Sequence, residues 1–249
     1  MKPRLVSVYF PGESDQYPRL ARVLEYTARR WAPSWDVRVQ AVPTPAVSSR
    51  LRQSAADNSW KLEWWTRAVE EAPDGTVLLL VDADTFIAAP LDPLLLALPF
   101  DLAYTYRDAA RFPLNSGVVA ARAGAGTRAA FREWLAEDRL MLQDPARLEP
   151  FRRFYGGQNQ ASFGALLERG AFRDLSVLRL PCVEWNCEET GWSRFKEGET
   201  RVVHVKAALR AHVFGLRSYE HTRDLANYWR SLERQVQAET SPQVPAFAL

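Results

Sequence analysis

The stretch Val77-Leu78-Leu79-Leu80-Val81-Asp82-Ala83-Asp84-Thr85 decides the fold. Five successive apolar residues without polar alternation read as a strand covered on both faces, as in a parallel sheet. Two carboxylates follow at the carboxyl end of that strand, where ligands bind in parallel α/β sheets. Asp82 and Asp84, one residue apart, can both reach a single hard cation of the Mg2+ or Mn2+ type, directly or through water. The same two side chains can equally serve only to cap the turn that follows.

Upstream, residues 5–10 read as a first strand closed by Pro11-Gly12. Residues 19–31 carry Leu20, Val23, Leu24 and Ala28 at helical spacing, and Pro33 ends them. Residues 36–42 alternate as a second strand, and residues 43–58 read as a polar, irregular loop with at most one helical turn. Ser59 reads as the N-cap of a helix through Glu71, with Leu62, Trp65, Ala68 and Val69 on one face. Strand, helix, strand, helix, strand spells an α/β fold with a mostly parallel central sheet flanked by helices.

Downstream, residues 91–98 read as a short helix, 102–106 and 116–121 as strands, and 127–142 as an amphipathic helix. A helix over 159–168 follows Gly156-Gly157, late strands cover 177–180 and 202–205, and a last helix spans 217–236. Residues 1–237 are expected to form one domain, and 238–249, with Pro242 and Pro245, a loose tail.

The chain has 249 residues, 47% hydrophobic and 25% charged, which excludes a disordered protein. A net charge of +2 and a pI of about 8.6 fall short of a dedicated nucleic-acid binder and suit a protein that handles phosphates. The longest apolar runs are too short to span a bilayer, and Met1-Lys2-Pro3-Arg4 lacks the apolar core of a signal peptide. Cys182 and Cys187 match no zinc spacing. A reduced, cytoplasmic protein is the expectation.

Further segments carry polar chemistry. In Asn115-Ser116-Gly117-Val118, the Asn can hydrogen-bond a sugar hydroxyl or serve as a turn residue. In Gly156-Gly157-Gln158-Asn159-Gln160, paired glycines permit close backbone approach before a helix, and the carboxamides can read hydroxyls. His204 ends a short apolar strand, and neutral imidazole suits a transition metal such as Mn2+. Lys206 and Arg210 can hold diphosphate oxygens, and Lys61, on the helix before the Asp strand, can reach a nucleotide. Trp185 and Trp192, in a loop between late strands, are candidates for an acceptor surface. The run from Arg147 to Arg153 suits either a polyanion contact or a solvated helix.

Two enzyme families share part of this pattern. Asp82-x-Asp84-Thr85 resembles the motif of haloacid-dehalogenase-like phosphohydrolases, but no later close pair of aspartates completes it. The wider order of motifs resembles GT-A glycosyltransferases of the glycogenin and galactosyltransferase-like (family 8-type) group. That group shows a Lys-bearing helix, Asp-x-Asp, Asn-(Ala/Ser)-Gly-Val, Asp-Gln-(Asp)-Ala and a His-(Phe)-x-Gly-x-x-Lys segment. They are matched here by Lys61, Asp82-Ala83-Asp84, Asn115-Ser116-Gly117-Val118, Asn159-Gln160-Ala161 and residues 204–210.

The resemblance, over residues 4–215, implies a single Rossmann-like GT-A domain and a nucleotide-diphosphate sugar donor, commonly UDP-linked in that group. It implies Mn2+ (or Mg2+) held by Asp82, Asp84 and His204. It implies Tyr9, Lys61, Asp82, Ala83, Asn115, Ser116, Lys206 and Arg210 around the donor. The acceptor is unidentified: a saccharide or small molecule is favoured, and a lipid-linked glycan, a protein or a modified nucleic-acid base stays open. Three departures stand out: Asn159 replaces an Asp, Ala207 a Gly and Arg210 a Lys. The first leaves the catalytic group open among Asn159, Gln160 and Glu184, with Glu188 and Glu189 as further carboxylates near Trp185-Asn186. A binding protein with this fold and no catalysis is the other reading.

Overall fold

A computed structural model describes residues 1–12, 15–44 and 50–240. In chain order the elements are β1 (Arg4–Tyr9), α1 (Gln16–Trp31), β2 (Asp36–Ala41), α2 (Arg50–Glu71), β3 (Val77–Val81), β4 (Thr85–Ile87), α3 (Asp92–Leu95), β5 (Leu102–Tyr106) and β6 (Leu114–Arg122). They continue as α4 (Ala125–Gln143), α5 (Pro145–Tyr155), α6 (Gln158–Glu168), β7 (Val177–Pro181), α7 (Cys182–Trp185), β8 (Val202–His204), α8 (Ala207–Val213) and α9 (Arg223–Thr240).

Six strands form the main sheet in the order β2-β1-β3-β6-β5-β7. β1 pairs in parallel with both β2 and β3, and β5 pairs in parallel with β7. β6 runs antiparallel to its neighbours β3 and β5, so the sheet is mostly parallel with one reversed strand. The unbroken apolar run of β3 has the physical cause inferred from its sequence. Leu78 and Leu80 pack with Trp65 of α2, Trp134 of α4 and Phe163 of α6. Val77, Leu79 and Val81 pack on the opposite face with Leu24 and Ala28 of α1. A two-stranded antiparallel sheet, β4 with β8, adjoins the main one. It is covered by a third core of Leu20, Phe86, Val203, Leu209 and Trp229.

Three boundaries differ from the sequence expectation. α2 begins at Arg50, so Ser59 is a buried mid-helix residue rather than an N-cap. Ser54, Asp57 and Asn58 on this added stretch line a cavity, and the apolar periodicity that announces a helix is therefore missing there. α5 was not anticipated, although Asp144 caps it by accepting from the N–H groups of Ala146 at 3.0 Å and Arg147 at 3.3 Å, with Pro145 in its first turn. Its arginines are not a free basic run, since Arg147 pairs with Glu137 and Arg153 with Glu149. α9 starts at Arg223 and continues to Thr240, past the expected start of the tail at residue 238; residues 241–249 lie outside the described part.

Among the described residues, no helix is long and apolar enough to cross a membrane. Cys182 and Cys187 are both free and buried. Burial pushes their thiols up to about 11 and about 12.

Ala207 opens α8 with φ +45°, in the left-handed region that favours glycine. This is the position where the family pattern has Gly. Ala207→Gly is expected to raise unfolding stability by about 1 kcal/mol, read as a higher denaturant midpoint at unchanged m-value. A lower midpoint would show that the backbone relaxes at no cost.

Candidate metal and diphosphate site

The site is built where β3 ends. Asp82 follows the strand directly, and the chain turns through Ala83 and Asp84 into β4. The turn is held by Thr85 N–H and Oγ1 donating to the Asp82 carbonyl at 3.2 Å and 2.7 Å. β8 pairs with β4 so that His204 stands opposite Thr85. The Val205 N–H donates to the Asp84 carbonyl at 2.7 Å. Two segments far apart in sequence thus deliver Asp82, Asp84 and His204 to one point, their candidate ligand atoms all within 4.8 Å of one another. Among the described residues this is the one such cluster, and it holds no third carboxylate.

The imidazole is oriented from behind. Asn186 donates its Nδ2 to Thr105 Oγ1 at 3.1 Å and turns its Oδ1 to His204 Nδ1 at 3.0 Å. Nδ1 is then the protonated nitrogen, and Nε2 faces Asp84 Oδ1 at 3.1 Å. A bare lone pair against a carboxylate oxygen is repulsive, and a proton or a cation between them removes the conflict. Two carboxylates and one imidazole with a fixed tautomer fit a divalent ion of the Mn2+ type. Room for the group depends on Gly117. A Cβ there would lie 2.8 Å from His204 Cε1 and 3.0 Å from Asp82 Oδ2.

Basic side chains surround the carboxylates. Lys61 ion-pairs with Asp82 and lies 4.6 Å from the centre of the Trp65 ring. Arg210 ion-pairs with Asp84, donates to the Val205 carbonyl at 3.1 Å and to Tyr17 Oη at 3.2 Å. Burial alone would raise the Asp84 carboxyl, but the charge and hydrogen bond of His204 carrying a proton on Nε2, together with Arg210 and Lys61, hold it well below the usual carboxylate range. Burial and the Asp84 charge raise the Tyr17 phenol. A cavity of about 240 Å³ opens beside this group, walled by Tyr9, Phe10, Tyr17 and Ala83 and by Asp57 and Asn58 of α2.

The remaining sequence candidates separate clearly. Ser116 is buried on β6, next to Asn115, whose Oδ1 accepts from the Gly117 N–H at 2.8 Å and whose Nδ2 donates to Glu188 at 3.2 Å. Lys206 ion-pairs with Glu188. Asn159 is buried, its Nδ2 donating to the Asn58 carbonyl at 3.0 Å. Gln160 donates its Nε2 to the carbonyls of Tyr155 and Leu114 at 2.6 Å and 3.2 Å. Glu184 is half-exposed on α7 and pairs with Arg201. Trp185 and Trp192 are buried core residues and offer no face to an acceptor. Arg107, Asn186, Tyr17 and the prominence of Glu188 escaped the sequence reading. They sit outside the matched motifs, and only long-range packing of the chain brings them to the site.

Behind Lys61 lies a fully buried acid. Asp138 of α4 accepts from Ser162 Oγ at 2.9 Å. Burial pushes its carboxyl up to about 6, against the hydrogen bonds from Ser59 and Ser162 and the charge of Lys61. The folded form therefore binds this proton more tightly than the unfolded chain, whose value is near 3.8. The stability contribution is complete below about pH 4 and is lost as pH rises through about 6. Asp138→Asn is expected to flatten that part of the stability profile in denaturant titrations from pH 4 to pH 7; an unchanged slope would exclude Asp138 as its source. Gly117→Ala is expected to weaken Mn2+ binding at least about tenfold by electron paramagnetic resonance titration. Gly124→Ala, where a Cβ meets open space, is the matched control. Equal Mn2+ affinity in the two variants would refute the crowding argument.

No protein-family model matches the chain, and no curated protein matches it in sequence. Solved structures do. A glycosyltransferase involved in glycosylation of the major capsid of PBCV-1 aligns with a TM-score of 0.56 at 10% identity, covering 84% of this chain and 97% of that one. The glycosyltransferase GlyE of Streptococcus pneumoniae TIGR4 aligns with a TM-score of 0.59 at 12% identity over 96% of this chain, which spans 64% of GlyE. The galactosyltransferase LgtC, solved with donor and acceptor sugar analogues, aligns with a TM-score of 0.54 at 12% identity, over 96% of this chain and 98% of that one. At these identities the likeness establishes architecture: the chain has the GT-A glycosyltransferase fold.

Proposed function

We propose that this protein transfers a glycosyl group from a nucleoside-diphosphate sugar, UDP-linked in the first instance, to a hydroxyl-bearing acceptor. The observation that carries the reading is the convergence of Asp82, Asp84 and His204 with Lys61 and Arg210. Carboxylates and imidazole suit a divalent ion, and the cations suit a diphosphate. Mn2+ or Mg2+ bound there supplies charge neutralisation for the departing diphosphate. Arg210 and Lys206 bind the phosphate oxygens, Lys61 reaches the first sugar hydroxyls, and Tyr9 offers its ring to the base. The phosphohydrolase alternative needs a further carboxylate beside Asp82 and Asp84, and the cluster contains none among the described residues.

The acceptor side is assigned to the far half of the sheet. A cleft of about 440 Å³ is lined by Tyr104, Tyr106, Tyr155, Arg107 and Arg179. Aromatic faces beside planar cationic groups are the chemistry of saccharide recognition. Likeness of fold to proteins that act on sugars supports this choice by analogy only.

The test is a screen of nucleotide sugars with Mn2+, read by thermal shift and by nucleotide release, with saccharide acceptors added to the responding donor. The expected result is a raised melting temperature with one donor class and slow metal-dependent hydrolysis. Asp84→Ala should lose the shift and lower hydrolysis by about 100-fold or more. Binding without any turnover would favour a non-catalytic nucleotide-sugar-binding protein, and no response to any donor would overturn the proposal.

A further inference from the structure

Glu188 is a buried carboxylate, 3% exposed, placed between the two halves of the site. Its Oε1 ion-pairs with Arg107, just past β5, and its Oε2 with Lys206, just past β8. The same Oε2 accepts from Asn115 Nδ2 at 3.2 Å. Its main chain is fixed as well, because its carbonyl accepts from the N–H groups of Gly191 and Trp192 at 2.6 Å and 3.0 Å. The preceding residue, Cys187, bridges to Val203, next to His204. A buried charge held by two cations and an amide is strongly determined in position.

The Asn115 carboxamide is fixed at both ends by this arrangement. Its Oδ1 takes the Gly117 N–H at 2.8 Å, and its Nδ2 gives one proton to Glu188. A carboxamide carries a second Nδ2 proton beyond the one given to Glu188. Without Glu188 the amide loses the partner that separates its donor end from its acceptor end. Its two oxygens lie against different cations, Oε1 against Arg107 and Oε2 against Lys206, and this geometry suits a positioning role.

We propose that Glu188 is a positioning residue for the sugar-transfer reaction, holding the Asn115 amide donor toward the glycosyl group. The inference rests on the glycosyl-transfer reading above. It assigns the carboxylate of the acceptor half to Glu188, where Asn159 supplies none.

The test compares Glu188→Gln, Asn115→Ala and the double variant, using UDP with Mn2+ as the binding probe and hydrolysis of the responding UDP-sugar as the rate. Glu188→Gln is expected to bind UDP with Mn2+ within about threefold of the unmodified protein while kcat falls about 10- to 100-fold. Asn115→Ala should lose a similar factor, and the double variant no more than the worse single one, because the two act as one unit. Unchanged kcat in Glu188→Gln, additive losses, or UDP affinity falling in step with kcat would each overturn the proposal. Should Glu188→Gln fail to fold, Glu188→Asp keeps the charge and shortens its reach. The same split between kcat and affinity is expected of it, and its absence counts against the proposal. An unmodified protein that binds no UDP and turns over no nucleotide sugar removes the glycosyl-transfer reading itself; turnover with a fully active Glu188→Gln removes only the role of Glu188.

Discussion

The short pairing of β4 with β8 is the constraint on which the rest of the site depends. Only three residues on each side take part, Thr85–Ile87 against Val202–His204. Such a ribbon is marginal by itself. It persists because Phe86 and Val203 point into a core closed by α1, α8 and α9. Helices remote from the chemistry therefore determine whether an imidazole stands beside two carboxylates. The Arg19–Glu233 ion pair, with contacts of 2.6 Å and 2.9 Å between α1 and α9, belongs to the same support.

Charge balance is the second organising fact. Each site carboxylate has a cation: Lys61 on Asp82, Arg210 on Asp84, Lys206 and Arg107 on Glu188. In a partly buried setting, a lone divalent ion must compete with cations already in place, and a lone diphosphate must draw those cations from their carboxylates. A dication and a diphosphate arriving together add little net charge and satisfy both sets. This favours coupled binding of the two, and it explains how so many ionised groups coexist in one cavity wall.

Much of this was legible in the sequence, for physical reasons. The β3 run announced itself because both faces are covered. The strands over 102–106 and 177–180 match the observed β5 and β7 almost residue for residue. What stayed hidden depends on long-range partners. β4 is too short to show a period, and its strand character comes from β8. Ser54, Asp57 and Asn58 of α2 face a cavity, so their polarity imitates a loop. Asp144-Pro145 is a local signal for the start of α5. At the site, Asp82, Asp84 and His204 followed from motif order, whereas Arg107 and Asn186 carry no local signal. Asn186 is defined by what it does to His204 through space, which no spacing along the chain encodes.

The buried cysteines have a practical meaning for motion in this molecule. Cys187 is stitched to β8, its N–H donating to the Val202 carbonyl and its own carbonyl accepting from the His204 N–H, both at 2.8 Å. Its side chain is fully enclosed and its thiol is held far toward the protonated form. An alkylating reagent can reach that sulfur only after the segment carrying Cys187, which is bonded to β8, has opened. The rate of thiol modification is therefore a clock for local opening of the site, built into the native chain and readable without any introduced label.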